Sequence, residues 1–165
     1  MKVISAAVAI VILSATCALA QTPRLIGTSH SWSAWKGYES KSASCYVFSD
    51  ASSKKPEHLD HGRVTRFVRR LNRGKVRTEA SLQVGYKLAP RGVRLSVDGK
   101  RFTMISRGSH AWLRRSEREA EFARVLEKGR IAIVEAISKR GNATTYSFPL
   151  KGFSAVMRQA RQGCQ

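Results

Sequence analysis

Basic residues of the kind that bind anions are concentrated in the middle of the sequence. Seven of them fall within fifteen residues: Arg63, Arg66, Arg69, Arg70, Arg73, Lys75 and Arg77. Arginine outnumbers lysine in this set, and its planar guanidinium forms paired hydrogen bonds with phosphate and carboxylate groups. The segment therefore predicts an anion-binding face. The alternative is a solubilising surface of a basic protein, and the sequence leaves both open.

Residues arranged for catalysis or for metal binding are much less evident. The sequence lacks the GxSxG, HExxH and GxxxxGK[ST] patterns of hydrolases, zinc proteases and phosphate-binding loops. His58, Asp60 and His61 offer ligands for a transition metal, but a polar loop with no evident further ligand explains them as well. Three glutamates within residues 117–121 suit the start of a helix. We predict no catalytic, metal or cofactor-binding residues, and a hydrolase without a recognised motif is the least favoured alternative.

The overall composition is that of a folded and strongly basic protein. The chain has 165 residues, of which 42% are hydrophobic, and that apolar share argues against a disordered chain. Its length is typical of one domain. Thirty basic residues against eleven acidic ones give a net charge of +19. Such a surplus favours polyanions as partners.

The first 20 residues predict export. A short basic start at Met1-Lys2 precedes an apolar run over residues 3–13, and Ala18-Leu19-Ala20 forms a small-residue cleavage site. A retained membrane anchor is the alternative, but the run is shorter than the ~20 residues that a bilayer requires. Lipidation at Cys17 is a weaker alternative because the preceding residues fit a lipobox poorly. Export to the periplasm or outer surface argues against chromosomal nucleic acid as a partner. Cleavage after residue 20 is expected to leave no transmembrane span.

Removal of the signal peptide leaves two cysteines, Cys45 and Cys164. In an oxidising compartment we expect them to form a disulfide that closes nearly the whole domain. Two free buried thiols are the alternative. The sequence has no CxxC motif that would indicate redox activity.

Alternating apolar and polar residues predict many short strands. The alternation is clearest over residues 79–86 and 93–97, and Asp98-Gly99 predicts a hairpin turn into residues 101–105. Other segments have the composition of strands, namely residues 44–49, 64–71, 130–137 and 144–148, with an aromatic arm or edge strand within residues 21–41. Residues 50–62 are predicted to form a loop.

Two short helices accompany these strands. Ser116 and Glu119 have the spacing of a capping box, and Gly129 is placed to end the helix that follows. The second helix is predicted over residues 153–162 from apolar residues at i, i+3, i+4 and i+7. Many strands and two short helices favour a mainly β sandwich or barrel, with residues 21–165 as a single domain.

Several segments, taken in order, resemble the invasion-associated locus B family of exported bacterial proteins. The segments are Trp32 and Trp35, Cys45-Tyr46, Val84-Gly85-Tyr86, Val97-Asp98-Gly99-Lys100-Arg101-Phe102, Ala111-Trp112, Thr145-Tyr146-Ser147, Gly152-Phe153-Ser154-Ala155 and Cys164. The resemblance covers most of the chain after the signal peptide. It implies an immunoglobulin-like β-sandwich, a periplasmic or outer-surface location, and an association with host-cell entry in pathogenic relatives. It supports the Cys45–Cys164 disulfide and provides no catalytic residues.

The sequence therefore predicts an exported, non-enzymatic envelope protein. Its expected partners are anionic envelope or host-surface polymers such as lipopolysaccharide, bound through the basic segment. The main alternative is a structural or accessory periplasmic protein whose charge has no specific ligand.

Overall fold

The structure is a computed structural model that describes residues 22–39, 42–73 and 75–164. The predicted signal peptide, residues 1–20, lies outside the described residues, and its prediction stays untested. Eleven strands and two helices make up the described chain. The strands are β1 (Arg24–Ser29), β2 (Trp32–Glu39), β3 (Ser42–Asp50), β4 (Ser53–Lys55), β5 (Thr65–Arg73), β6 (Lys75–Gln83), β7 (Leu88–Val97), β8 (Lys100–Arg107), β9 (His110–Leu113), β10 (Ile131–Ser138) and β11 (Ala143–Pro149). The helices are α1 (Glu119–Lys128), which follows a 3-10 turn at Ser116–Arg118, and α2 (Phe153–Gly163).

All eleven strands belong to one antiparallel sheet. Hydrogen bonding runs without a break in the order β1-β2-β3-β5-β6-β9-β8-β7-β10-β11-β4. The chain leaves β3 and enters β4 after two residues, although these two strands lie far apart in the sheet order. The mainly β class with two short helices is confirmed. The immunoglobulin-like sandwich is not confirmed, because the sheet is continuous, and it stays a prediction.

Side-chain alternation along the strands places one face of the sheet in the core. On β10, for example, Ala132, Val134 and Ala136 are buried, while Ile131 and Ile137 are exposed. Since side chains of a strand point alternately to its two faces, this alternation identifies the inner face of the sheet. Buried side chains from nearly every strand and from both helices form a single hydrophobic cluster.

Both helices pack on this cluster through aromatic side chains. Phe122 of α1 meets Phe102 of β8 edge to face, with ring centroids 4.7 Å apart. Phe153 of α2 meets Trp32 of β2 in the same way at 4.8 Å, and the Trp32 indole donates a hydrogen bond to the Pro149 carbonyl at 2.8 Å. Neither helix has the length and apolar composition of a membrane-spanning segment within the described residues.

The start of α1 differs from the sequence prediction. Ser116 begins the 3-10 turn, Arg118 occupies the N-cap position, and no side chain caps the helix there. Glu119 is not the far end of a capping box, because its Oε2 accepts a hydrogen bond from the Ala80 amide of β6 at 3.0 Å. The carboxylate joins the helix to the sheet. The predicted end of α1 at Gly129 is confirmed.

Cys45 of β3 and Cys164 at the end of α2 form the predicted disulfide. Their Cα atoms are 5.9 Å apart although 119 positions separate them in the sequence. Both residues are buried. The bond fixes the end of the last helix to β3, the third strand in the sheet order.

Candidate functional site

Two arginines of the predicted anion-binding face already have carboxylate partners. Arg63 is exposed, and its Nε lies 3.1 Å from Asp50 Oδ1. Arg69 Nη2 lies 3.5 Å from Glu79 Oε1 across the β5–β6 pair. An external anion would have to compete with these carboxylates.

Arg66 does not belong to an exposed face. It is only 1% exposed, because it follows Val64 and precedes Val68 on the side of the chain that faces the core. Its guanidinium lies over the Phe122 ring at 4.8 Å, and neither Nη atom has a hydrogen-bond partner among the described protein groups. Loss of hydration lowers the pKa of Arg66 to about 9, and the nearby Glu119 opposes this shift. Arg66 is therefore a buried cation, which corrects its assignment to the surface.

The other four basic residues of that segment are placed by the backbone alone. Arg70 and Arg73 lie on β5 and Lys75 and Arg77 on β6, where Arg73 pairs with Lys75 in the register. Their side chains lie outside the described part of the structure. Their participation in an anion-binding face stays a prediction.

The hypothetical metal ligands are not gathered into a site. His61 is buried, and both its ring nitrogens contact protein oxygens. The Asp60 carboxylate accepts a hydrogen bond from the Gly62 amide at 2.9 Å. Among residues 22–39, 42–73 and 75–164, no group of three histidine, cysteine or acidic side chains is placed to hold a metal ion. The alternative of a His58, Asp60 and His61 metal site therefore has no support in the geometry.

A cleft of about 790 Å³ that the sequence did not indicate lies at one end of the described strands β6, β7, β10 and β11. Three segments that are distant in sequence form it: the loop before β5, the connection between β6 and β7, and the turn between β10 and β11. Its lining residues are Leu59, Asp60, His61, Gly85, Tyr86, Lys87, Ser138, Lys139, Arg140, Asn142 and Thr144. Three of these are basic and one is acidic.

Two glycines bring the first two of these segments together. A Cβ on Gly62 would lie 2.8 Å from the Gly85 Cα, closer than real side chains approach, and Gly62 has a φ of +58°. The Gly85 amide donates a hydrogen bond to the His61 carbonyl at 3.1 Å. Only residues without a side chain allow this approach, which fixes His61 at the floor of the cleft.

His61 begins a buried chain of hydrogen bonds. Its Nε2 lies 2.8 Å from the Pro56 carbonyl oxygen, and its Nδ1 lies 2.9 Å from the Tyr146 hydroxyl. The imidazole and the Tyr146 ring are also packed edge to face at 5.4 Å. Burial raises the pKa of Tyr146 above its ordinary value, so this hydroxyl keeps its proton.

The chain continues through three hydroxyl groups to the backbone of β10. Tyr146 donates to the Tyr86 hydroxyl at 2.8 Å, the Tyr86 and Thr144 hydroxyls are 2.6 Å apart, and Thr144 donates to the Ala136 carbonyl at 3.1 Å. Tyr86 and Thr144 line the cleft, whereas Tyr146 lies behind it. The cleft thus has a floor of ordered polar groups.

A smaller basic depression of about 300 Å³ lies beside α1. Arg114, Arg115 and Arg118 line it. Arg118 forms two hydrogen bonds with Glu121 and lies over the Phe102 ring at 4.6 Å. Arg118 and then Lys100 lower the pKa of Glu121 to about 2. Since the Arg118 charge is matched within the fold, this depression is a weaker candidate than the cleft.

Sequence reasoning missed the cleft because no pattern shows that these segments meet. The sequence predicts a polar loop around His61, and it predicts strands that contain or end at Tyr86 and Tyr146. Gly62 and Gly85 are a local signal of close backbone approach, but glycine is also ordinary in loops and at the ends of strands. The hydrogen-bonded contacts join residues 58 to 85 positions apart.

The chain is similar to known proteins both in its sequence and in its fold. A family model described as "Invasion associated locus B (IalB) protein" matches residues 32–161. Among solved structures, the crystal structure of invasion associated protein b from Bartonella henselae is similar to this chain with a TM-score of 0.60. The similarity covers 86% of this chain and 96% of that chain at 15% sequence identity, which shows a shared fold. The search of curated proteins found no match.

Proposed function

Since a family model matches most of its length, this chain belongs to the invasion associated locus B family, and we propose that it is an exported, non-enzymatic protein that binds anionic polymers of the cell envelope or of host surfaces. Export is supported by the family, by the predicted signal peptide and by the buried Cys45–Cys164 disulfide, since disulfides persist in oxidising compartments. The periplasm and the outer surface both satisfy this condition.

The observation that carries the proposal is a positive charge that the protein does not neutralise itself. Seven of its eleven acidic residues form ion pairs within the described part of the chain: Asp50, Glu57, Glu79, Asp98, Glu121, Glu127 and Glu135. With these carboxylates already engaged, most of the thirty basic residues must be met by counterions or by an external polyanion. A polyanion that releases those counterions gains free energy on binding.

Anionic polymers also occur at host surfaces, so the proposal includes a role there. The similar structure from Bartonella henselae is that of an invasion associated protein. We extend this association to the present chain as part of the proposal. Acidic host polysaccharides and bacterial lipopolysaccharide offer the same chemistry to a basic surface.

The test is the salt dependence of binding by the purified protein. We expect binding to immobilised heparin and to lipopolysaccharide at about 20 mM NaCl, with affinity falling at least about tenfold by about 300 mM. Neutral dextran is the control and should not bind. Absent or salt-independent binding would contradict the proposal and favour an accessory protein without a specific ligand.

The non-enzymatic part of the proposal has its own measurement. The size distribution of heparin should be unchanged after prolonged incubation with the protein. Shortening of the polymer would instead support a hydrolase without a recognised motif.

A further inference from the structure

The walls of the 790 Å³ cleft carry a surplus of positive charge. Lys87, Lys139 and Arg140 line it. None of the ion pairs within the described chain includes any of these three residues. The one acidic lining residue, Asp60, has an oxygen bonded to the Gly62 amide. The three basic side chains and the one carboxylate give the lining a net charge of about +2.

The floor of the cleft consists of buried polar groups. His61 and Thr144 both line the cleft and are each only 5% exposed. Their hydrogen bonds with Tyr146 and Tyr86 hold the Tyr86 hydroxyl in a fixed position in the cleft.

The size and the remaining walls indicate more than a small inorganic ion. A volume of about 790 Å³ lies in the range of sites that hold drug-sized organic ligands. Leu59 and Tyr86 provide apolar surface, and Asn142 and Ser138 contribute short polar side chains. A hydroxylated ring that bears an anionic group matches this combination of surfaces.

We propose that the cleft binds one acidic sugar unit, a hydroxylated ring carrying a carboxylate or a phosphate. Lys87, Lys139 and Arg140 meet the anionic group, and Tyr86 packs against the ring. The Tyr146 hydroxyl, which is hydrogen-bonded to His61, holds the Tyr86 hydroxyl in place. The proposal rests on the proposed function, since an acidic polymer would present such a unit, and it adds the place where that unit is bound.

The test compares two variants that lose the same charge. The cleft variant combines Lys87→Gln, Lys139→Gln and Arg140→Gln. The control variant combines Arg107→Gln, Lys128→Gln and Lys151→Gln, three exposed basic residues outside the cleft lining. Binding of galacturonic acid and of glucose 6-phosphate is measured by calorimetry, with galactose and glucose as neutral controls. Thermal unfolding verifies that each variant is folded, and the three single cleft substitutions replace the triple variant if it is not.

We expect the cleft variant to lose at least about tenfold in affinity for an acidic monosaccharide, and the control variant to change less than about twofold. Preference for galacturonic acid identifies a carboxylated unit, and preference for glucose 6-phosphate identifies a phosphorylated one. Equal loss in both variants, no loss in the cleft variant, or no binding of either acidic sugar would overturn the proposal.

Failure of this inference is distinguishable from failure of the proposed function. If heparin and lipopolysaccharide bind in a salt-dependent manner but the cleft and control variants bind acidic sugars alike, the cleft assignment alone is wrong. If the polymers do not bind at all, the proposed function fails first.

Discussion

At the scale of single residues, Arg66 and Glu119 are charged side chains that do not lie free on the surface. Both come from segments rich in charged residues, yet Arg66 is fully buried and the Glu119 carboxylate accepts a bond from the β6 backbone. Neither position is marked in the sequence. An arginine at an inward position of a strand looks the same as one at an outward position until the register is known.

Replacement of Arg66 by methionine should stabilise the protein. A buried guanidinium whose Nη atoms have no hydrogen-bond partner among the described residues costs about 1–3 kcal/mol, and loss of its contact with Phe122 returns part of that gain. We expect Arg66→Met to raise the free energy of unfolding by about 1 kcal/mol in urea denaturation at about pH 5, where the nearby Glu119 is protonated and loses no charged partner. Arg66→Ala is the control, since its cavity should destabilise by about 2 kcal/mol or more. If methionine destabilises as much as alanine, the guanidinium is a stabilising group.

Glu119 should make stability depend on pH above its ordinary titration range. The pKa of Glu119 is raised from 4.5 to about 7, mainly by burial and to a smaller extent by Glu79, and the Ala80 hydrogen bond and Arg66 partly oppose this shift. The folded state therefore favours the protonated carboxyl. This stability is fully present below pH 4.5 and is lost as the pH rises to about 7.

The expected loss is at most about 3 kcal/mol, and solvent screening of the partly exposed carboxyl reduces it to about 1–2 kcal/mol. Urea denaturation between pH 4.5 and 7 measures it. Glu119→Gln should remove this part of the pH dependence, and Glu117→Gln, an exposed neighbour, should retain it. An unchanged profile in Glu119→Gln would assign the dependence to other groups.

At the scale of elements, the sequence predicted segments whose signal is local. The alternation in β7 and the Asp98-Gly99 turn identified a hairpin correctly, and Asp98 and Gly99 have the positive φ values, +44° and +87°, that such a turn requires. The apolar spacing of α2 was also sufficient, since Phe153, Val156, Met157 and Ala160 are all buried. The short strand β4 was missed within the predicted loop, because its pairing with β11 depends on residues about 90 positions away.

Asp98 links the β7–β8 turn to the start of β10. Its two carboxylate oxygens accept hydrogen bonds from the amides of Arg130 and Ile131 at 2.9 and 3.3 Å. We expect Asp98→Ala to cost about 2 kcal/mol in urea denaturation, because it leaves both amides without this acceptor and places alanine at a positive φ. Asp98→Asn keeps one oxygen and tolerates the backbone, so it should cost about half as much. Equal losses in the two variants would indicate that the charge, not the hydrogen bonds, is decisive.

At the scale of the whole molecule, the disulfide restrains the unfolded chain across most of its length. Joining residues 119 positions apart should stabilise the protein by about 4 kcal/mol. Urea denaturation of a Cys45→Ala/Cys164→Ala variant, with the reduced wild type for comparison, measures this contribution. Amide exchange in α2 should also accelerate, since the bond fixes that helix to β3. A loss below about 1 kcal/mol would show that packing of α2 alone is sufficient.

The net charge can be counted from the sequence, whereas the positions of the charged side chains on the folded protein cannot be predicted from it. The basic segment at residues 63–77 looked like one surface, but the fold buries Arg66 and pairs Arg63 and Arg69 with carboxylates. The basic cleft is assembled from Lys87, Lys139 and Arg140, which two separate turns bring together. Proximity of this kind depends on tertiary folding, and no one-dimensional pattern contains it.

The same surplus of charge predicts how salt affects stability. Repulsion within a chain of net charge +19 destabilises the compact state. The ion pairs of the described chain are all at least partly exposed, and such pairs are worth about 0–1 kcal/mol each. Since screening weakens both effects and the repulsion involves many more charges, we expect the melting temperature to rise by at least about 3 °C between about 20 and about 300 mM NaCl. The Arg107→Gln/Lys128→Gln/Lys151→Gln variant should melt higher at low salt and respond less to added salt. A melting temperature that falls with NaCl would mean that attraction within the ion pairs outweighs repulsion among the surplus positive charges. The fold would then neutralise more of its positive charge than its ion pairs indicate.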